Sequence, residues 1–346
     1  MHLEECIASK HSPTARTSRD THPGAPLTEG SRSVNQPGFW GFPSCSEENG
    51  CRARIFRKRN SAFKLVNLSR LSQGRRRGHL VCPTGVAVTH DGFVFITDCS
   101  NNKVRVLDSS RDMWVFFRKM KETPSKQGGS PAGIAISSLG YLVVIAEPEK
   151  KQVSVYARDG RRLFSLKLNW MKPFGVAVTS KGQIVVTDNC ENGSLSVLTV
   201  DWTNGSVLHL QLIGGLEYPC FVACSKKDDT AVTTKNSVKL YDATGNLTWS
   251  SSLEQGNNQV FICPKGIAID SDNNVIVSDY SSGKIVLLSS EGRWLMDIVS
   301  SGLMGPQGLA LSPDGLLVIA DSQNHSIKVY SYRPVTTWCQ EPAFND

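Results

Sequence analysis

Five acidic residues recur at matching positions along the chain, and carboxylates at regular spacing could serve catalysis or metal binding. They are Asp98, Glu147, Asp188, Asp279 and Asp321, and each one ends an aliphatic run. A catalytic group usually occurs once in an active site, whereas these acids occur in nearly every repeat of the chain. We therefore predict that they are structural turn caps, whose carboxylates accept backbone N–H bonds from their own turns.

Other residue types that support catalysis do not form a recognisable constellation. A metal site needs His and carboxylate ligands that converge on one spot. The histidines of the repeat region stand at non-equivalent places, namely His79, His90, His209 and His325. There is no Cys-x-x-Cys pair, no phosphate-binding loop and no Gly-x-Ser-x-Gly motif. We expect no catalytic residues, no metal, no cofactor and no enzymatic activity.

The acids belong to a repeat that begins with Pro-x-Gly and an aliphatic run. The six copies start at Pro83, Pro131, Pro173, Pro219, Pro264 and Pro306, which are 42 to 48 residues apart. Short apolar runs with a period of 40 to 50 residues are typical of a radial array of sheets. The first copy predicts strands at 85–88, 93–98, 103–108 and 112–120, with a turn at Gly92. Six such units predict an all-β fold, a six-bladed β-propeller.

The fourth repeat departs most from this pattern. Phe221 replaces the glycine, and Thr234 or Lys235 stands where the acid is expected. The sixth repeat ends near Tyr330 with little chain left for an outer strand. We predict that residues 62–68 complete that blade and close the ring, with residues 335–339 as the alternative. The predicted domains are a disordered basic arm (1–60), the propeller (61–334) and a C-terminal tail (335–346).

Charge separates the arm from the propeller. Residues 1–77 hold 14 Lys and Arg against 6 Asp and Glu, whereas residues 78–346 hold 24 against 25. Neither an N-terminal apolar leader nor a run of about 18 apolar residues is present, so we expect no membrane association. We expect a cytoplasmic protein with reduced cysteines, and the basic arm adds nuclear import as an alternative.

One rim of the disc should carry the binding site. The chain enters the first strand and leaves the second strand of each blade on the same side, so these loops share a face. Loops on a rigid ring are common binding sites, and aromatic side chains are common anchors. The predicted partner-binding residues on this face are Phe174, Tyr218, Tyr280, Lys265, Gln307 and Asn189.

The repeat "P-x-G-(V/I/L)-A…(T/S/A)-D…(I/V)-x-V" resembles the NHL repeat over residues 83–330. The segments "GSLSVLTVDWTNGSVL" at 193–208 and "NHSIKVY" at 324–330 resemble the propellers of malin-type and tripartite-motif NHL ubiquitin ligases, and of small RING-less NHL-repeat proteins. The resemblance implies substrate recognition and protein polyubiquitination. This chain departs from the ligases because its N-terminal region shows no RING set of Cys and His ligands.

Two functions follow from these observations. The first is a protein-recognition scaffold that binds a partner or substrate on one face, is linked to ubiquitin-dependent turnover and works with a RING-bearing ligase. The second is RNA binding, which some tripartite-motif NHL proteins perform with a strongly basic face. The nearly neutral propeller favours protein over RNA, since Lys265 is the one obvious cation that the entry loops offer.

Overall fold

Six four-stranded antiparallel sheets build the protein, which is an all-β six-bladed propeller as the repeats predict. The computed structural model describes residues 65–66, 80–108, 113–115, 130–138, 140–252, 254–255 and 258–332. The predicted domain boundaries at 60 and 334 remain predictions, because they lie outside the described residues.

The strands follow each other from the centre of the disc outward. A short strand, β1 (Leu65–Val66), precedes the first blade. Blade 1 contains β2 (Pro83–Val88), β3 (Phe93–Asp98), β4 (Lys103–Asp108) and β5 (Met113–Val115). Blade 2 contains β6 (Ile134–Ile136), β7 (Leu142–Glu147), β8 (Gln152–Ala157) and β9 (Arg162–Leu166). Blade 3 contains β10 (Pro173–Val178), β11 (Ile184–Asp188), β12 (Gly193–Val200) and β13 (Val207–Leu216).

The second half repeats this order. Blade 4 contains β14 (Val222–Cys224), β15 (Thr230–Thr233), β16 (Ser237–Tyr241) and β17 (Leu247–Ser252). A small hairpin follows, with β18 (Glu254–Gln255) and β19 (Asn258–Gln259). Blade 5 contains β20 (Pro264–Ile269), β21 (Val275–Asp279), β22 (Lys284–Leu288) and β23 (Trp294–Val299). Blade 6 contains β24 (Pro306–Leu311), β25 (Leu316–Asp321) and β26 (Ser326–Ser331).

The first strand of each blade contacts the first strands of both neighbours, so these six strands line the centre of a closed ring. One apolar cluster fills the space between each neighbouring pair of blades. Between blades 1 and 2, for example, Phe95 and Val106 pack with Val143 and Ile145. Each sheet is therefore buried on both faces near the centre, which explains the continuous aliphatic runs of its inner strands.

The recurring glycine is required by the close approach of neighbouring blades. A Cβ atom on Gly85 would lie 2.7 Å from the carbonyl oxygen of Ala132 in blade 2. A Cβ atom on Gly308 of blade 6 would lie 2.7 Å from the carbonyl oxygen of Thr84 in blade 1. Both distances are shorter than real Cβ contacts, so any larger residue forces two blades apart.

The ring closes through the N-terminal side of the propeller. Strand β1 pairs with β26, with Leu65 opposite Tyr330 and Val66 opposite Val329, and so supplies the fourth strand of blade 6. This confirms the closure predicted for residues 62–68, whereas the alternative at 335–339 lies outside the described residues. At the same joint, the Cys82 N–H donates to His325 Nδ1 at 3.0 Å.

Candidate functional site

The loops that enter and leave the inner strands lie on one side of the disc. We call this side the entry face; its described parts are the entry loops at 80–82, 170–172, 217–218, 260–263 and 303–305, and the exit turns at 99–102, 148–151, 189–192, 234–236, 280–283 and 322–325. Backbone hydrogen bonds join the entry loop of a blade to its exit turn. For example, the Asn189 N–H donates to the carbonyl oxygen of Lys172, and the Tyr280 N–H donates to that of Cys263, both at 2.9 Å.

The recurring acids lie beneath this face and hold the entry loops. The Val81 N–H donates to Asp98 at 2.8 Å, and the Met304 N–H donates to Asp321 at 2.7 Å. Asp188 accepts two backbone N–H bonds, from Met171 and Lys172, and Asp279 likewise accepts two, from Ile262 and Cys263. All four acids are buried, and burial raises the pKa of Asp321.

These contacts correct the predicted source of the backbone donors. We expected each acid to cap its own turn, but the backbone N–H groups come from the entry loop, 16 or 17 residues earlier in the chain. The turn contributes side chains instead, such as Asn101 to Asp98 at 2.7 Å and Ser282 to Asp279 at 2.7 Å. Glu147 differs, because it accepts side-chain bonds from Lys150, Gln152 and Ser154.

Exposed apolar side chains stand where the acids hold the loops. The residue two positions before the Pro-x-Gly proline is Val81, Met171, Ile262 or Met304 in four of the blades. We call these four residues the apolar tips. Met171 is 60% exposed and Ile262 is 52% exposed, although each donates its backbone N–H to a buried carboxylate. They are not among the residues predicted from the sequence, since they precede the segment that defines the repeat.

A buried hydroxyl joins neighbouring blades just below the acids. Thr187, the residue before Asp188, accepts the Gly175 N–H at 2.8 Å and donates to the carbonyl oxygen of Cys220 in blade 4 at 2.6 Å. We call this three-part contact the hydroxyl latch. It recurs at Thr97, Thr233 and Ser278. The sequence signal was the Thr or Ser that precedes most of the acids.

Blade 4 has the hydroxyl latch but lacks the glycine, the buried acid and the apolar tip of most other blades. The Phe221 N–H donates to Thr233 Oγ1 at 3.1 Å, in the place of a glycine N–H. Glu217 occupies the position of an apolar tip and forms an ion pair with Lys235 at 2.9 Å. The hydrogen bond to Glu217 raises the pKa of Lys235. Glu217 thus replaces the apolar tip, Thr234 stands at the position of the buried acid, and the Glu217–Lys235 ion pair joins the entry loop to the exit turn instead.

Two of the predicted partner-binding residues are not surface residues. Phe174 is only 3% exposed and packs edge-on against Phe221, with ring centroids 5.3 Å apart. Gln307 is also buried, and its amide donates to Ser322 Oγ at 3.1 Å. Because neither side chain reaches the surface, the expectation that they contact a partner directly has to be corrected.

The other four predicted residues reach the entry face to different extents. Tyr218 is exposed, and Lys235 Nζ lies 5.7 Å from the centre of its ring. The Tyr280 hydroxyl accepts a hydrogen bond from Gln323 at 2.9 Å. Asn189 donates to the carbonyl oxygen of Pro219 at 2.9 Å and thereby bridges blades 3 and 4. Lys265 is half-buried, and nearby Cys220 raises the pKa of its ammonium, while burial acts in the opposite direction.

The charges exposed on the entry face have both signs. The exposed cations include Lys103, Lys151, Lys172 and Lys235, which adds to the single cation expected from the entry loops. Glu149 and Glu191 are exposed between them. Although most of the Glu149 side chain is exposed, partial desolvation of its carboxyl raises its pKa. The part of the entry face that the structure describes therefore lacks the uniform positive charge that favours a nucleic-acid backbone.

Within the described ranges, no group of three or more His, Cys, Asp or Glu side chains is arranged to hold a metal ion. Over the same residues, no helix is both long and apolar enough to cross a membrane.

Comparison with known proteins finds matches over the repeats. The NHL repeat family matches residues 80–107, 171–208 and 303–330. Human NHL-repeat-containing protein 4 is 36% identical over 117 residues, which is 34% of this chain and 93% of that protein. Human E3 ubiquitin-protein ligase TRIM32 is 26% identical over 291 residues, covering 75% of this chain and 43% of the ligase.

A third relative is the rat E3 ubiquitin-protein ligase NHLRC1, which is 28% identical over 260 residues, 72% of this chain and 54% of the ligase. The chain thus spans about half the length of the ligases that it matches. Solved structures share the fold. A gluconolactonase from Xanthomonas campestris has a TM-score of 0.61 at 15% identity, covering 78% of this chain and 90% of that protein. A streptogramin B lyase has a TM-score of 0.55 at 14% identity, covering 79% and 98%.

Proposed function

Because the chain belongs to the NHL-repeat family, we propose that it is a protein-recognition scaffold whose entry face binds a partner or substrate in ubiquitin-dependent protein turnover. The single observation that carries this proposal is the set of apolar tips. Solvent-exposed Met and Ile side chains gain free energy when a partner covers them, and methionine adapts its shape to different partners. The buried acids hold the tips in position before a partner arrives, which lowers the entropic cost of binding.

The ubiquitin part of the proposal rests on the two ligases. Both match this chain over its propeller, and both are named as E3 ubiquitin-protein ligases. We propose that this propeller selects the substrate and that a RING-bearing ligase supplies the transfer of ubiquitin. A cytoplasmic location belongs to the same proposal, and imaging of the tagged full chain tests it.

RNA is the competing ligand, and the face offers two physical arguments against it. The exposed lysines alternate with Glu149 and Glu191, so phosphates would meet both signs of charge. The apolar tips also lack the flat rings on which bases stack in sequence-tolerant RNA binding. Both arguments favour a protein surface with apolar side chains.

The test compares two glutamate variants of the full chain. The double variant Met171→Glu with Ile262→Glu places charges on the entry face. Tyr141→Glu changes a side chain that is 62% exposed in the turn between β6 and β7, on the opposite side of the disc, and is the matched control. Each protein is used for affinity capture from cell lysate with and without ribonuclease, followed by mass spectrometry and a thermal melt.

We expect wild type and Tyr141→Glu to retain the same ubiquitin-system proteins after ribonuclease treatment. The double variant should capture these proteins at least about tenfold more weakly, which corresponds to about 1.4 kcal/mol of binding free energy. Its melting temperature should be unchanged. Equal capture by all three proteins would show that the entry face is not the binding site. Capture that disappears with ribonuclease and falls steeply with salt would replace the proposal with RNA binding.

A further inference from the structure

The outer strand of blade 3 differs from the other outer strands of the molecule. Strand β13 is ten residues long, whereas β9, β17 and β23 have five or six. It carries three exposed leucines at alternate positions, of which Leu208 is 68% exposed and Leu212 is 62% exposed, with Leu210 between them. Alternate residues of a strand point to one side of the sheet, so these leucines form a single apolar stripe.

The pairing with β12 shows which side of the blade carries the stripe. Leu210 lies opposite Leu198, which packs in the core between blades 2 and 3. Gln211 belongs to the other side, where its amide donates to the carbonyl oxygen of Thr244 in blade 4 at 2.7 Å. The leucine stripe therefore stands on the blade 2 side, beyond the region where the two blades fill the space between them.

The edge of β13 has no protection by charge. Its sequence, VLHLQLIGGL, contains no Lys, Arg, Asp or Glu. In contrast, β9 contains Arg162, and β23 contains Asp297, which pairs with Lys284 at 2.9 Å. The outer strand of blade 4, β17, also lacks charge but carries one exposed leucine instead of three. Among the described strands, β12 is the only one that pairs with β13, so the outer row of backbone N–H and C=O groups faces outward. Natural proteins usually blunt such an edge with charges or proline.

We propose that β13 is a dimerisation edge, on which a second copy of this chain adds its own β13 in antiparallel orientation. The sequence around Leu210 is self-complementary in that arrangement. With Leu210 opposite its counterpart, Leu208 of each copy lies opposite Leu212 of the other, and His209 lies opposite Gln211. Residues directly opposite each other share a face and interact, so leucine meets leucine across the joint. A twofold axis also gives the commonest closed assembly of soluble proteins.

The absence of charge makes the edge compatible with a second copy, and the self-complementary order of the leucines favours that copy over a foreign strand. Two identical strands place like charges near each other whenever they carry charged side chains, and β13 carries none to repel its copy. Residues 207–213 form a ladder of about 20 Å, and the contact is smaller than the about 800 Å² per partner of a stable interface. The dimer is therefore weak and forms in the micromolar range or above.

Sedimentation velocity of the full chain over a wide concentration range tests the proposal. Wild type should shift from monomer to dimer as its concentration rises. Leu210→Lys places two like charges at the centre of the joint, and this variant should remain monomeric with an unchanged melting temperature. Leu247→Lys, at a residue that is 52% exposed on the outer strand of blade 4, is the matched control and should dimerise like wild type.

A cross-link supplies a second measurement that does not depend on the lysine variant. Leu210→Cys should form an intermolecular disulfide under mild oxidation, because cysteines facing each other across an antiparallel pair come within bonding reach. Leu247→Cys should form none above the wild-type background. A wild-type chain that stays monomeric at all concentrations, or a dimer that Leu210→Lys leaves intact, overturns the proposal. The entry-face variants should not affect the dimer, so this proposal and the proposed function fail separately.

Discussion

Blades 4 and 5 are neighbours with the same strand order, yet they solve the same packing problem with different residues. In blade 5, Gly266 lies against the carbonyl of Gln307, Ser278 forms the hydroxyl latch, and Asp279 holds Ile262. In blade 4 the latch persists at Thr233, but the glycine, the buried acid and the apolar tip are all replaced. Blades 4 and 5 therefore share the latch although their glycine, acid and apolar tip differ, so the latch does not depend on the residues of the entry face.

The largest effect is expected from removing the glycine of blade 5. A Cβ atom on Gly266 would overlap the carbonyl oxygen of Gln307, which belongs to the backbone of blade 6 and cannot rotate away. Gly266→Val should lower the free energy of unfolding by at least about 3 kcal/mol, measured by urea denaturation. Gly214→Ala is the control, since nothing lies within 4 Å of the added atom and stability should barely change. A well-folded Gly266→Val would mean that blades 5 and 6 can separate without cost.

Removal of the buried acid of blade 5 should lower the free energy of unfolding by less than Gly266→Val does. Asp279→Ala leaves the N–H groups of Ile262 and Cys263, each 2.8 Å from the carboxylate, without their acceptor. We expect a loss of about 2 kcal/mol in unfolding free energy. The equivalent change in blade 4, Thr234→Ala, should cost about 1 kcal/mol, because that hydroxyl contacts only its own turn at Ser237. Equal losses in the two blades would contradict the distinction between them.

The same pair of variants connects stability to binding. Without Asp279 the entry loop at Ile262 loses its anchor, so partner capture should weaken even at temperatures where Asp279→Ala is fully folded. Thr234→Ala should capture the partner as wild type does. Circular dichroism at the capture temperature verifies the folded state of both proteins.

Removal of the hydroxyl latch should lower the free energy of unfolding by less than removal of the buried acid, and by the same amount in blades 4 and 5. Ser278→Ala and Thr233→Val each remove one buried hydroxyl that joins two backbone groups. Alanine stands at this position in blades 2 and 6, as Ala146 and Ala320, so the ring tolerates its loss. Each variant should lose about 1 kcal/mol by urea denaturation. A loss confined to one of the two variants would contradict the equivalence of the latch in blades 4 and 5.

The smallest effect concerns the outer turns and depends on pH. In blade 4, hydrogen bonds from Thr244 and Asn246 lower the pKa of Asp242 to about 2, from 3.8 in an unperturbed carboxyl. Its stabilising contribution is therefore complete above pH 3.8 and is lost as the pH falls through about 2. In blade 5, Ser289 receives the corresponding bonds from Glu291 and Arg293 and has no charge to lose.

In the Asp242→Ser variant, the free energy of unfolding should therefore depend less on pH in the acidic range than it does in wild type. The measurement is the urea midpoint of wild type and variant at pH 5 and at pH 2.5. The difference between the two proteins should shrink at the lower pH. A difference that stays constant across this range would show that the Asp242 carboxylate contributes nothing specific to its charge.

The sequence predicts the periodic parts of the fold well. The predicted strands at 93–98 and 103–108 coincide with β3 and β4, because alternating and continuous apolar runs report burial directly. Gly92 adopts the expected positive φ of 85°. The turn caps were assigned to local donors because a sequence shows neighbours along the chain, whereas the true donors approach Asp98 from the facing loop.

The candidate site was harder to predict for a similar reason. Phe174 looked exposed because it precedes a glycine at the start of a strand, but Phe221 of the next blade covers it. No local pattern reports that contact. The apolar tips stand in irregular loops, where one apolar residue carries no periodic signal. Alignment of the six repeats two residues upstream of the proline would have revealed them.

The pairing of β1 with β26 also has a consequence for the order of events during synthesis. Leu65 and Val66 leave the ribosome long before Val329 and Tyr330, the residues against which they pair. The hydrogen bond from the Cys82 N–H to His325 joins groups that are 243 positions apart in the sequence. Contacts of such separation form slowly, because the intervening chain must first be brought together. The ring of the nascent propeller therefore cannot close until its last blade is made.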